Sequence, residues 1–227
     1  MVVFEEASQI RPLKLLKVLT KVVRANGTDQ GRQIILSGDP EQLPPFVETN
    51  MNRSNLDIRS ILDFTRMYGS NHALILTKQQ RMHPDIAELV RALFYEQQMW
   101  EMREPHTGGV FWIDTSNLPR HARKRDPGTS WYNRDEIGVI VSLVDDLLLR
   151  NVSNILVVSP YLAQVDMLID RSNPPFLVRT VDGCQGRTAD AVIVSFVTLD
   201  RQFVFDRRRM NVAMSRARNY LSPLRKG

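Results

Sequence analysis

Short apolar runs alternate with stretches of helical period along most of the 227-residue chain, and this alternation limits its fold more than any other feature. Strands that alternate with helices pair in parallel, because each helix carries the chain back across a face of the sheet. The sequence therefore predicts a parallel α/β fold rather than an all-β or all-α one. The predicted strands are residues 2–4, 33–37, 74–77, 110–114, 155–159, 178–181 and 191–197.

Helices are predicted between several of these strands from the spacing of their apolar residues. The first covers about residues 12–23 and turns four apolar side chains to one face, namely Leu13, Leu16, Leu19 and Val23. The second begins at Pro84, because proline suits the first helical position. The third is capped by Asn133.

Two long segments interrupt this pattern. Residues 38–55 and 115–134 are rich in Pro, Gly, Asn and charged side chains, so we expect loops there. Loops of this length in a compact α/β chain are usually functional or mobile.

Cysteine and histidine usage excludes two classes of site. The single cysteine, Cys184, rules out an intrachain disulfide and a Cys-rich zinc site, and the four histidines lack metal-ligand spacing. The start of the sequence has no secretory signal pattern, and no apolar run approaches the roughly 18 residues needed to span a bilayer. We therefore expect a soluble intracellular protein without a membrane partner.

Positive charge is concentrated near the end of the sequence. The formal net charge is +5, yet residues 201–227 alone carry eight basic side chains and one acid. Such a local field attracts a phosphate-rich partner. A solvated basic tail explains the composition equally well.

Acidic and amide side chains follow two predicted strands. Glu5 and Glu6 come directly after residues 2–4, and Asp39 and Gln42 follow residues 33–37. Because the carboxyl ends of parallel strands form the ligand crevice of an open sheet, these carboxylates can hold Mg²⁺ and polarise a water molecule. Taken separately, surface acids at a strand end and a proline-rich turn are adequate explanations.

Six strings occur in an order that resembles the motifs of superfamily-one helicases of the nonsense-mediated-decay group, which also holds senataxin. The strings are VVFEEASQ, SGDPEQLPP, LTKQQRMHP, VVSPYLAQ, TVDGCQGRTADAVIVS and NVAMSRAR. One of them, Gln-x-Arg-Met-His-Pro, arises by chance about once in a few million positions. The resemblance covers nearly the whole chain.

The resemblance implies a RecA-like P-loop NTPase fold in which two domains sandwich ATP and Mg²⁺. It places Glu5 at the metal, Glu6 at the attacking water and Gln42 at the γ-phosphate sensor, and it makes Arg81 and Arg216 the two arginines that reach that phosphate. A planar, permanently charged guanidinium suits the charge that develops on a transferring phosphoryl group. Further nucleotide contacts implied by the resemblance are Asp39, Gln79, Gln185, Gly186 and Arg218.

The same resemblance implies a partner, single-stranded RNA or DNA, and an intracellular location in the nucleus or cytoplasm. The implied strand contacts are Ser159, Pro160, Tyr161, Gln164 and Thr180. Contacts of this kind hold phosphates, so binding should be weakly sequence-selective and salt-dependent.

Three residues inside the motifs have ordinary structural explanations. We interpret Met82 and Cys184 as packing residues. His83, just before Pro84, is expected either to cap or pack the following helix or to contact a partner side chain.

The sequence departs from the family pattern most clearly in what it lacks. No Gly-x-x-x-x-Gly-Lys-Ser/Thr string occurs, so the backbone cradle and lysine that grip a triphosphate are missing. Glu5 replaces the usual aspartate, Gln80 a tyrosine and Thr188 a glutamate. Pro223 stands where a closing strand is expected, and proline suits a central strand poorly.

These departures leave three hypotheses. In the first, residues 1–77 are the second half of one RecA-like domain and residues 78–227 form the next, as a fragment of an ATP-dependent helicase that lacks its N-terminal half and is inactive alone. In the second, the chain is a non-catalytic nucleic-acid-binding module. The third, an unrelated α/β protein, conflicts with the motif order.

Overall fold

The computed structural model describes residues 1–25, 33–45, 60–68, 73–95, 100–102, 104–118, 122–124, 128–172, 175–198 and 202–225. The chain forms two compact units, Met1–Ile75 and Leu76–Gly227. Both units are built from short parallel strands and helices, which confirms the predicted α/β class.

The smaller unit is organised around a pair of parallel strands, β1 (Val2–Phe4) and β2 (Ile34–Leu36). Val2 lies opposite Ile34 and Phe4 opposite Leu36, so the two strands end at the same edge. The helices of this unit are α1 (Pro12–Ala25) and α2 (Ile61–Tyr68), and a 3₁₀ turn covers Ala7–Gln9.

Helix α1 buries a different face from the predicted one. Leu15 is 7% exposed, whereas Leu13 and Leu16 are more than half exposed. The helix turns Pro12 and Leu15 inward. Leu13 and Leu16 each follow one of these residues directly, so they lie about 100° away around the helix axis. The prediction for Leu13 and Leu16 was therefore wrong, while the side chain of Val23 lies outside the described residues.

Helix α2 has a reciprocal N-terminal cap that apolar periodicity does not predict. The Ser60 backbone N–H donates to Asp63 Oδ2, and the Asp63 backbone N–H donates to Ser60 Oγ, both at 3.0 Å. The Ile61 backbone N–H also donates to the Ile10 carbonyl at 2.8 Å. These bonds satisfy N–H groups that a helix start leaves open and tie α2 to the segment after the 3₁₀ turn.

The larger unit contains a parallel sheet in the order β3-β10-β9-β7-β8, and β4 also pairs with β10. Its helices are α3 (Pro84–Phe94), α4 (Arg134–Leu149), α5 (Leu162–Ser172) and α6 (Arg207–Met214). Its strands are β3 (Gly109–Val110), β4 (Ile113–Asp114), β5 (Ala122–Lys124), β6 (Trp131–Asn133), β7 (Ile155–Ser159), β8 (Leu177–Thr180), β9 (Ala189–Val194) and β10 (Ala217–Arg225).

The core of this unit lies between its sheet and helices α4 and α5. Ile137 and Ile140 of α4 and Leu168 of α5 are fully buried against Val157 and Ile193 of the sheet. Strand β7 is buried at all five positions, as expected for a central strand covered on both faces. The apolar runs that predicted β7, β8 and β9 therefore reflect real burial.

Two predicted segments are corrected. Residues 74–77 form no strand, and Leu74 and Leu76 are over 90% exposed, so this apolar run does not reflect burial. Residues 115–134 are not wholly loop, because β5 and β6 pair there as an antiparallel hairpin. Strand β6 adds only Trp131 and Tyr132 to a segment that is otherwise polar, so the sequence did not predict this hairpin.

Strand β10 contradicts the expectation that Pro223 prevents a closing strand. Pro223 lies opposite Val194 of β9 inside a nine-residue strand. Leu221 accepts from the Phe111 N–H at 2.8 Å, so Pro223, two residues later, faces the same side. On that side β10 pairs first with β3 and then with β4, and the pairing is interrupted between them. Pro223 lies at this interruption, so the strand does not need the N–H that proline lacks.

The described helices include none that is both long enough and apolar enough to cross a membrane.

Candidate functional site

In the smaller unit, the two acidic residues sit at a strained bend after β1. Glu6 has a left-handed backbone, with φ 50° and ψ 42°, and precedes the 3₁₀ turn. Non-glycine residues adopt this conformation rarely, and it is enriched at functional sites. The Ala7 N–H donates to the Ser37 carbonyl at 2.9 Å, so the bend is held against the end of β2.

Gly38 allows this close approach. A Cβ at position 38 would lie 2.8 Å from the Ala7 nitrogen and 3.1 Å from the Ser8 nitrogen, both backbone atoms. The glycine after β2 is therefore required by the packing of the two strand ends.

Asp39 orients the amide of Gln42. Asp39 Oδ2 accepts from Gln42 Nε2 at 2.9 Å, and Asp39 Oδ1 accepts from the Glu41 N–H at 2.9 Å. The structure thus brings Asp39 and Gln42 together at the same edge as Glu5 and Glu6. Asp39 is a positioning residue for Gln42 here.

The donor set of this edge fits a magnesium ion that is shared with phosphate. Mg²⁺ is usually held by one or two carboxylates together with substrate oxygens. Glu5 is exposed at the end of β1 and can serve as one such carboxylate. Within the described ranges, no three His, Cys, Asp or Glu side chains are grouped closely enough to hold a metal by themselves.

In the larger unit, the Gln79 amide shapes the turn that carries Arg81. Gln79 Oε1 accepts from the backbone N–H groups of Arg81 and Met82, and its Nε2 donates to the Met82 carbonyl at 3.0 Å. These bonds engage both ends of the amide. Gln79 therefore positions Arg81 in this structure.

Arg81 and Arg216, far apart in sequence, converge on Ser215. Arg81 Nη1 donates to the Ser215 carbonyl at 3.3 Å, and Arg216 Nη2 donates to Ser215 Oγ at 3.0 Å. Arg81 is exposed, whereas Arg216 is only 3% exposed. The two guanidinium groups thus meet at the carboxyl end of α6.

Arg216 is held by carbonyl groups on two elements. Its Nε donates to the Val212 carbonyl at 3.0 Å, and its Nη1 donates to the Arg187 carbonyl at 3.4 Å. The Val212 carbonyl belongs to the last turn of α6, where the helix dipole favours a cation. Arg216 therefore fixes the loop containing Gln185 and Gly186 against the end of α6.

Arg218 lies beside this group but points elsewhere. Its Nη1 is 3.8 Å from Asp190 Oδ1, and its side chain is half exposed. The Arg218 carbonyl accepts from the His83 N–H at 2.7 Å. The backbone of Arg218 thus links β10 to the start of α3, while its charge is shared with Asp190.

Cys184 lies next to this cluster and is fully buried. Burial raises the pKa of the Cys184 thiol to about 11, with the Arg216 charge opposing the rise and Asp182 adding to it. Its Sγ–H donates to the Val181 carbonyl at 3.1 Å. The packing interpretation of Cys184 is confirmed, as is that of Met82, which is 5% exposed.

His83 caps α3. Its Nδ1 accepts from the Asp85 N–H at 3.2 Å, and its Nε2 lies 2.7 Å from the His106 carbonyl. A neutral ring protonated at Nε2 satisfies both bonds. The capping alternative stated for His83 is therefore confirmed.

The predicted strand-binding residues lie at the carboxyl ends of β7 and β8. Ser159 and Thr180 are paired in register, and the Val181 N–H donates to the Ser159 carbonyl at 3.2 Å. Ser159 Oγ accepts from the Tyr161 N–H, and Thr180 Oγ1 accepts from the Gly183 N–H. Ser159, Pro160, Tyr161 and Thr180 are thus brought together.

Gln164 takes a different place from the predicted one. It is 0% exposed, its Nε2 donates to Ser195 Oγ at 3.1 Å, and its Oε1 accepts from the Asn133 N–H at 2.8 Å. In this structure its amide lies inside the unit, where it links α5 to β6 and to the end of β9. Ser159 is also 0% exposed, so in this structure neither of these two predicted side chains is open to a strand.

Glu136 is a buried residue of the same network that motif reading missed. Glu136 Oε2 accepts from the Val197 N–H at 2.8 Å, and Val197 has φ 66°, which is rare for a β-branched residue. Asn133 and Glu136 have the spacing of a helix capping box, so the sequence offers a local explanation for Glu136. Only the structure shows that it holds the segment after β9.

Comparison with known proteins links the chain to helicases. The family described as AAA domain matches residues 59–223. "Helicase sen1" of Schizosaccharomyces pombe is 30% identical over 221 residues, which cover 84% of this chain and 13% of that protein. "Regulator of nonsense transcripts 1 homolog" of Neurospora crassa is 27% identical over 226 residues, covering 82% and 20%. The chain thus spans a fifth or less of the length of these two relatives.

A solved structure shares the fold. "Complex structure of Arterivirus nonstructural protein 10 (helicase) with DNA" matches with a TM-score of 0.52 and 18% identity, covering 99% of this chain and 39% of that one. At this identity the match shows the fold alone. Together with the parallel sheet, it agrees with a RecA-like P-loop architecture.

Removing the Glu136 carboxyl should destabilise the larger unit. Glu136→Ala leaves the buried Val197 N–H without its acceptor, and we expect a loss of about 2–4 kcal/mol in the free energy of unfolding. Glu136→Gln retains an oxygen acceptor and should cost about 1 kcal/mol. Urea denaturation of both variants measures the difference, and equal stability of the alanine and glutamine variants would contradict it.

Cys184 should resist alkylation while the protein is folded. A buried thiol with a raised pKa is protonated at pH 8, so we expect iodoacetamide to label it only as fast as the chain unfolds. Labelling in urea, followed by mass spectrometry, gives the unfolded reference rate. Because the folded pKa exceeds the usual 9.0, this thiol stabilises the fold below pH 9 and loses that effect as the pH rises toward 11. Fast labelling without denaturant would show that Cys184 is accessible.

Proposed function

The chain belongs to the superfamily-one helicases of the nonsense-mediated-decay and senataxin group, and we propose that it supplies the arginine-bearing part of an ATP-driven motor that moves on single-stranded nucleic acid. Residues 1–77 are assigned to the end of a first RecA-like domain and residues 78–227 to a second. The motor acts inside the cell, in the nucleus or cytoplasm.

The observation that carries this proposal is the convergence of Arg81 and Arg216 on Ser215. Negative charge grows on the γ-phosphoryl oxygens during transfer, and fixed guanidinium groups stabilise it without reorganising. Arg216 is held by hydrogen bonds from Nε, Nη1 and Nη2, so its orientation is set before any ligand binds. Arg81 is exposed, which suits direct contact with phosphate.

The strand-end residues of the smaller unit take the complementary roles. Glu5 would hold Mg²⁺, which would neutralise negative charge on the triphosphate. Glu6 orients the attacking water and accepts its proton, and its strained backbone keeps the carboxylate at the strand end. Gln42, aligned by Asp39, senses the γ-phosphate through its amide.

The larger unit binds the nucleic-acid strand through the segments after β7 and β8. The hydroxyl groups of Ser159 and Thr180 accept from backbone N–H groups and so shape these turns, whose exposed residues contact phosphates. Gln164 supports the same turns from inside the unit and is assigned a positioning role. The basic residues of α6 add charge to this surface.

The missing phosphate loop leads us to propose that the 227 residues do not hydrolyse ATP alone. Without the loop's N–H groups and lysine, the triphosphate lacks its main anchor. We infer that a polypeptide outside these residues supplies that loop. The second candidate function, a non-catalytic strand-binding module, is favoured by the same absence.

Purified protein should show no appreciable ATP hydrolysis, with or without single-stranded RNA. Phosphate release measures this directly. Glu6→Gln provides the matched control, because it removes the base and alters little else. Turnover like that of ordinary helicases, abolished by Glu6→Gln, would show that the chain needs no added loop.

Binding to a single strand should be electrostatic and therefore weakened by salt. We expect the logarithm of affinity to fall linearly with the logarithm of salt concentration, with a slope of about −0.7 per phosphate contact. Fluorescence anisotropy of labelled oligonucleotides at several salt concentrations measures the slope.

A pair of charge variants tests where the strand lies. Arg208→Gln on α6 should make the slope shallower by about 0.7, the contribution of one phosphate contact. Arg150→Gln, at the end of α4 and at the opposite end of β7 from Ser159, removes one charge elsewhere and should leave the slope unchanged. Tight binding that is indifferent to salt, or equal effects of the two variants, would contradict the proposed surface.

A further inference from the structure

A groove of about 1030 Å³ runs along α4, and its described lining residues include none that is assigned to nucleotide or strand. Strand β4 and Leu118 border one side, and α5 borders the other. Its floor is apolar and consists of Ile113, Val139, Leu143 and Met167. These four side chains are partly buried and pack against the core of the larger unit. The groove is therefore a built feature of the fold.

The groove carries the opposite charge to the chain as a whole. Three carboxylates, Asp135, Asp146 and Asp170, line it together with one arginine, Arg134. The chain has a net charge of +5. Phosphates are repelled by such a lining, so a nucleic acid is a poor occupant and a cationic group a good one.

The middle of the groove is open because α4 has a glycine there. A Cβ built at Gly138 meets no atom within 4 Å. Glycine inside a helix costs about 1 kcal/mol relative to alanine, and nothing in the fold requires it at this position. The absence of a side chain at Gly138 leaves the middle of the groove open, and the groove has room for a Cβ there.

The dimensions match a helix. The lining residues of α4 extend from Arg134 to Asp146, about 18 Å along the helix axis, or more than three turns. A second helix that lies in this groove can place an apolar stripe on the floor and basic side chains against the acidic rim.

We propose that the α4 groove is a docking site for an amphipathic helix of another protein, one whose apolar stripe is flanked by Lys or Arg. Its lining residues differ from those assigned to nucleotide and strand, so we expect a partner to dock here without displacing either. Floor residues provide affinity through apolar burial, and the three aspartates provide selection by charge.

Two synthetic peptides of about 16 residues test the charge selection, since a helix of this length spans about 24 Å and covers the whole groove. Both carry Leu at helical spacing, one with flanking Lys and its twin with flanking Glu. We expect the Lys peptide to bind at least about tenfold more tightly, as measured by isothermal titration at low salt. Methyl NMR signals of Met167 and Leu143 should shift on binding.

Two sets of variants locate the site. Gly138→Trp fills the groove and should weaken the Lys peptide by about tenfold or more, whereas Gly138→Ala should bind almost normally. Asp146→Lys with Asp170→Lys, at two exposed positions, should abolish the preference for the Lys peptide even if Gly138→Trp perturbs the fold. Single-strand affinity should be unchanged in Gly138→Ala.

Several results would overturn the proposal. Equal binding of the Lys and Glu peptides would remove charge selection, and unmoved Met167 and Leu143 signals would place binding elsewhere. Self-association that Gly138→Trp abolishes would make the groove an interface between copies of this chain. Displacement of the peptide by single-stranded RNA would make it part of the nucleic-acid surface.

Discussion

The hydrogen bonds of the Arg216 guanidinium are the contacts on which the larger unit's site depends. They join the last turn of α6, the Ser215 hydroxyl and the carbonyl of Arg187, and Arg81 reaches the same Ser215 from the turn before α3. A buried cation is costly unless its donors are satisfied, so these elements must hold their positions together. The same interaction therefore maintains the fold locally and orients the charge that the proposed chemistry uses.

The sequence predicted the structure correctly for strands that are buried on both faces. Strand β7 is apolar on both faces and bounded by polar residues, so its limits could be predicted from composition alone. The predictions failed where contacts with another helix or strand determine the local structure. The face that α1 buries depends on α2, and the tolerance of Pro223 depends on a gap between β3 and β4 that no local pattern reveals.

The candidate site shows the same division. The motifs named Arg81, Arg216, Asp39 and Gln42, and the structure brings Arg81 close to Arg216 and Asp39 close to Gln42, while their roles stay predictions. Motif position does not report burial, however, and Gln164 lies inside the unit with its amide engaged. Glu136 carries no motif and still holds the strained segment after β9, because its partner is 61 residues away.

The position of β10 in the sheet has a consequence for synthesis of the protein. Gly109 of β3 pairs with Tyr220 of β10, so one side of the sheet is made long before the strand that joins it. At a ribosomal rate of about 5–20 residues per second, β3 and β4 wait roughly 5–20 s for that strand to emerge. During this interval their apolar residues are open to chaperones, and this side of the sheet closes only after β10 has left the exit tunnel.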